Sequence, residues 1–64
     1  MKNVLIKING ALPHQEKEVK NVYVYVDGIQ RDRYITRNVA KMVSILKDDY
    51  KNENVMVEGE ISHE

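Results

Sequence analysis

The sequence predicts an α+β fold: a small antiparallel sheet of three to four strands, in the order β-β-β-α-β, with one amphipathic helix packed on one face. Three observations carry this expectation. Residues 20–26 read Lys-Asn-Val-Tyr-Val-Tyr-Val, a period-two alternation of β-branched and aromatic residues that suits a strand. Asp27-Gly28 follows at once, a dipeptide that favours the tight turn of a hairpin. Ile35, Val39, Met42, Val43, Leu46 and Tyr50 then recur at helical spacing, filling a stripe about 100° wide. A helix with one apolar stripe and strands with one apolar side are satisfied together when the helix lies across one face of the sheet.

Each element follows from its own residues. In residues 3–8, Val4, Ile6 and Ile8 fall on one side with Lys7 opposite, which gives the first strand. Asn9-Gly10 reads as a turn, since both residues tolerate positive φ. Pro13 cannot donate to a ladder, so residues 11–19 read as a loop, with Gln15-Glu16-Lys17-Glu18 suited to a helical turn. In the second strand Val22, Val24 and Val26 point one way and Tyr23 and Tyr25 the other. Ile29 to Tyr34 reads as a charged return strand. Thr36 is suited to cap the helix, whose far side carries Arg37, Lys41, Ser44, Asp48 and Lys51, with Ile45 beside the stripe. Asn52 and Asn54 are suited to end it. Val55, Val57 and the Glu58-Gly59-Glu60-Ile61 segment read as a last strand, and residues 62–64 as a frayed tail. The expected core is Val4, Ile6, Ile8, Val22, Val24, Val55 and Val57 under the helix stripe.

The chain has 64 residues and no Cys, which suits a single domain over residues 1–64 with neither a disulfide nor a thiolate metal site. A domain this small buries only about 60% of its unfolded surface. Association then adds stability, so a homodimer or a protein partner is expected. The apolar run near the start is interrupted at Lys7, too short for a secretory core, and nothing approaches a membrane span. A cytoplasmic protein that does not engage membranes is the expectation.

The chemical inventory points away from catalysis. His14 and His63 lie far apart with no metal-binding spacing, so no metal or other cofactor is expected. His63 among Glu58, Glu60 and Glu64 reads as a solvated acidic tail rather than a cation site. Ser44 and Ser62 lack a neighbouring His and Asp pattern, and no Gly-x-Ser-x-Gly turn occurs. Gly10, Gly28 and Gly59 each stand alone, so no phosphate-cradling loop is present. Asp48 and Asp49 are neighbours on a helix and diverge by about 100°, which is poor geometry for a carboxylate pair. A chain of this length does not easily enclose a small-molecule pocket. No enzyme activity and no small-molecule substrate are expected.

The charges balance at ten Lys plus Arg against ten Asp plus Glu, which argues against both a DNA coat and a DNA mimic. Their order along the chain is uneven. Residues 1–47 hold nine basic against four acidic residues, and residues 48–64 one basic against six acidic. Charge asymmetry of this kind marks interaction surfaces.

The basic surface depends on hairpin register. A two-residue loop at Asp27-Gly28 sets Arg31 opposite Val24 and Arg33 opposite Val22, among the core valines. A three-residue loop, Val26-Asp27-Gly28, sets Tyr23 opposite Arg31 and Tyr25 opposite Ile29. Burying unpaired guanidinium groups is costly, so the three-residue loop is the expectation. The expected binding surface is then Tyr23, Tyr25, Arg31 and Arg33, with Arg37 and Lys41 nearby in sequence on the outer side of the helix. Tyr and Arg anchor protein interfaces, stack unpaired bases, or merely stabilise a solvated face as cross-strand pairs. An acidic surface of Asp48, Asp49, Glu53, Glu58 and Glu60 is the rival, suited to a basic patch on a partner or another copy, or to solubility alone. The expectation is a non-enzymatic interaction module that binds a protein or itself. Its size suits small regulatory or inhibitory proteins of phage and mobile-element type. Single-stranded nucleic-acid binding is the alternative.

Overall fold

The computed structural model describes residues 1–59. The expectations for Glu60, Ile61, His63 and the tail 62–64 lie outside the described residues. The element order is β1 (Asn3–Asn9), β2 (Lys20–Val26), β3 (Ile29–Thr36), α1 (Val39–Asp49) and β4 (Asn54–Glu58). This is the expected α+β order. The sheet runs β3-β2-β1-β4 across its width.

The sheet is mixed rather than wholly antiparallel. β1 pairs antiparallel with β2, and β2 with β3, but β4 lies parallel to β1. The reason is the helix: a strand reached through a helical return across one face runs in the same direction as the strand it left. β3 and β1 already share a direction, so β4 meets the free edge of β1 as a parallel neighbour.

Period-two alternation puts Val4, Ile6, Ile8, Val22, Val24 and Val26 on the helix side, where they form one cluster with Val39, Val43 and Leu46. Val55, Val57, Tyr34, Met42 and Tyr50 pack against its margin. Ile35 does not join the helix stripe: it belongs to β3 and is 51% exposed. The helix starts later than Thr36 suggests. Its cap is Asn38, whose side chain accepts from the Lys41 backbone N–H at 3.0 Å. Thr36 instead braces the cap, its hydroxyl accepting from the Asn38 N–H at 3.0 Å. The helix ends at Asp49 with Tyr50 as its cap, and Asn54 opens β4.

The turn between β2 and β3 corrects the expected register. Val26 pairs with Ile29, so the loop is the two-residue Asp27-Gly28. Both residues hold positive φ, 51° and 83°, as a type I′ turn requires. The cost of arginines among the valines is avoided by a bulge. Tyr25 pairs with Gln30 but Val24 pairs with Asp32, which leaves Arg31 as the extra residue. The bulge reverses parity for the rest of β3, so Arg33 falls beside Tyr23 and Tyr34 beside Val22 on the helix side.

Asn9 and Gly10 do not take the positive φ expected of them; the strand simply ends there. The loop that follows makes two short turns rather than a helical one, with Gln15 N–H donating to the Leu12 carbonyl and Val19 N–H to that of Glu16.

Among the described residues β4 covers Asn54–Glu58, and Gly59 after it takes φ 108°. A Cβ on Gly59 would stand 2.5 Å from the Ile8 carbonyl oxygen. Gly59→Ala is therefore expected to destabilise by about 2 kcal/mol, from a backbone conformation L-residues avoid plus the contact with β1. Gly10→Ala, which meets open space, is the control, and a urea midpoint equal in both variants would refute the argument.

The open sheet face as a candidate interaction site

With α1 on one side, the other face of the sheet receives the alternate residues of all four strands. The pairing registers place them in rows. One row reads Met56, Leu5, Tyr25, Gln30 from β4 to β3. The next reads Glu58, Lys7, Tyr23, Arg33. Tyr23, Tyr25, Leu5 and Lys7 are half-buried by their neighbours, whereas Met56 is 65% exposed and Arg33 and Glu58 are exposed. Leu5, Tyr25, Asn3, Met56 and Glu58 line an open hollow of about 610 Å³ on this face.

The ends of the face are fixed by hydrogen bonds. At one end Asp27 and Asn3 bond reciprocally: the Asn3 N–H donates to Asp27 Oδ1 at 3.0 Å, and the Asp27 N–H to the Asn3 carbonyl at 2.8 Å. Asn54 Nδ2 donates to Asn3 Oδ1 at 2.9 Å beside them. At the other end the 10–19 loop folds over Asn21, which is wholly buried. Asn21 Nδ2 donates to the Gly10 carbonyl at 3.0 Å and to Gln15 Oε1 at 2.8 Å, while Gln15 Nε2 donates back to Asn21 Oδ1 at 3.1 Å. The Leu12 N–H also donates to Gln15 Oε1, at 2.8 Å. No buried side-chain nitrogen or oxygen among the described residues lacks a partner.

The expected basic surface is thus brought together only in part. Tyr23, Tyr25 and Arg33 share the open face, with Arg33 rather than Arg31 beside Tyr23. Arg31 stands in the bulge at the outer strand. Arg37 precedes the helix and is ion-paired with Glu16 of the loop. Lys41 lies exposed in the first turn of the helix. Neither belongs to the rows of the open face.

The acidic surface also divides. Asp48 and Asp49 are exposed at the helix end, and Glu53 is half-buried in the turn before β4. Glu58 is on the open face beside Lys7. Glu60 lies outside the described residues. Sequence reasoning did not find Leu5, Lys7, Gln30 and Met56 as members of one face. Period two assigns each its side of a strand, but the row it joins depends on strand order and register.

Tyr34 differs from the open-face tyrosines. It sits half-buried on the helix side, where burial first, then the Asp32, Tyr50 and Asp49 groups, raise its hydroxyl pKa above the ordinary value.

Among the described residues the fold is a two-layer α+β arrangement, with no helix on the second face of its sheet. The chain matches no protein-family model, no curated protein and no solved structure. No helix among the described residues is long and apolar enough to cross a membrane.

Proposed function

We propose that this protein is a non-enzymatic interaction module that binds protein through its open sheet face. The observation that carries the reading is the apolar row of exposed Met56 and half-buried Leu5 and Tyr25 beside a row of opposite charges. An apolar centre with Tyr anchors and a charged rim is the composition of protein interfaces. A regulatory or inhibitory role, of the kind small phage and mobile-element proteins perform, belongs to the same proposal and rests on size and on the lack of catalytic motifs.

The test compares immobilised wild type with the Tyr25→Ser/Met56→Ser variant, checked for folding by circular dichroism. Both positions lie outside the core cluster. The variant is expected to lose at least about tenfold of whatever the wild type binds, since truncating a hot spot costs about 2 kcal/mol or more. Equal binding by both proteins overturns the assignment to this face.

A second reading is favoured by one observation: Lys7, Tyr23 and Arg33 stand side by side, a cation-aromatic-cation row suited to single-stranded nucleic acid. Glu58 beside Lys7 and the overall charge balance weigh against it. Binding of a labelled oligonucleotide at low salt that weakens as salt rises would support this reading, and no binding at low salt removes it.

A further inference from the structure

We propose that the occupant of the open face is a second copy of this chain, related by a two-fold axis that runs along the strands between β1 and β2. This rests on the reading of that face as a protein-binding surface and names its partner.

The order of charges across the sheet favours this pairing. The axis follows the midline of the order β3-β2-β1-β4. Rotation about it lays one face on the other and reverses the order of strands. The row Glu58, Lys7, Tyr23, Arg33 then meets its own reverse. Glu58 stands opposite the partner's Arg33, and Lys7 opposite the partner's Tyr23, where the ammonium meets an aromatic face. In the neighbouring row Leu5 stands opposite the partner's Tyr25, and Met56 opposite the partner's Gln30.

The Leu5–Tyr25 and Lys7–Tyr23 contacts fall at the centre and the Glu58–Arg33 ion pairs at the two margins, where charge retains partial hydration and is cheapest to keep. A two-fold across the strands, centred on the same row, would set Glu58 against its own copy and Arg33 against its own copy. Like charges oppose that arrangement.

Packed sheets cross at about −30° because each is twisted, and the two-fold accommodates that angle. With strands about 4.8 Å apart and residues rising about 3.3 Å, the face measures roughly 19 by 17 Å. That is modest against the ~800 Å² per partner of a standard interface. The expected dimer is therefore reversible and dependent on concentration.

The test is sedimentation equilibrium of the wild type, Glu58→Arg, Arg33→Glu, and an equimolar mixture of the two variants. Wild type is expected to double its mass as concentration rises. Each variant alone sets like charges opposite one another, and its dissociation constant is expected to rise at least about tenfold. In the mixture, a heterodimer restores both opposite-charge contacts, and affinity is expected to return to within about threefold of wild type. No interaction confined to one chain predicts that rescue.

A wild type that stays monomeric, variants that dimerise normally, or a mixture that fails to recover each overturns the proposal. Normal dimerisation of both variants would assign association to another surface, such as the free edge of β4. The Tyr25→Ser/Met56→Ser comparison separates the two levels. A monomeric wild type whose partner binding depends on those residues overturns the two-fold contact alone. A wild type whose association and partner binding both ignore them overturns the protein-binding reading of the face as well.

Discussion

Ile6→Ala is expected to lower stability by about 3–4 kcal/mol, the largest effect of a single truncation among the described residues. Ile6 is wholly buried, paired with Val24 on one side and Val57 on the other, beneath the helix. Removing its outer carbons loses their transfer energy and leaves a void in the middle of the central strand pair. β-sheet hydrogen bonding on both sides prevents the strand from collapsing into that void. Domains of ordinary size are stable by only about 5–15 kcal/mol, and one this small sits low in that range. The variant is therefore expected to be substantially unfolded near its growth temperature. Urea denaturation checks this, with a fall in midpoint at constant slope. Ile6→Val, at about 1 kcal/mol, provides the graded comparison. Equal midpoints for the two variants would mean that the core does not close on Ile6 as described.

Asn21→Leu is the second large effect, expected at about 2–3 kcal/mol although it replaces a polar residue by an apolar one of similar size. Asn21 is the sole buried polar residue among those described. It faces away from the helix, and its burial is supplied by the 10–19 loop through Gln15 and the Gly10 carbonyl. Leucine leaves the Gly10 carbonyl and Gln15 Nε2 without these partners. The loop then either lifts away or keeps unpaired polar groups under cover. Hydrogen exchange separates this from a simple core defect. Protection is expected to fall first at the Leu12 and Gln15 amides, ahead of the amides of β1 and β4. Gln15→Ala should act on the same contacts, so the double variant is expected to cost less than the two singles added. Full additivity would show that the two side chains work independently.

The two predictions differ in how visible their causes are in the sequence. Ile6 is legible as a core residue from Val4, Ile6 and Ile8 alone, because alternation is a local property of the strand. Asn21 is not. It occupies a Tyr-side position of β2, and nothing local distinguishes it from Tyr23 except that a loop folds over it. The candidate site shows the same division. Alternation with valines puts Tyr23 and Tyr25 on the face away from the core. Their neighbours Leu5 and Lys7 are ordinary members of β1 until pairing sets them beside those tyrosines. Nearness in sequence groups Arg37 with the basic surface, but the structure pairs it with Glu16 in the loop.

The sequence by itself determined the element order and which side of each central strand faces the helix. It also determined the position of the hairpin. These follow from the backbone's period, from the helical stripe, and from the positive φ that Asp-Gly accepts, all of which act within a few residues. Tertiary structure decided the rest. The two-residue turn alone would have driven Arg31 and Arg33 toward the valines. The cost of burying charge is met by a bulge at Arg31, a choice that depends on what the opposite strand presents. β4 became a parallel neighbour of β1 because the helix returns across the sheet and β1 offers the free edge. Rows that join residues of four strands exist only once those long-range pairings are made, and the open face is built entirely of such rows.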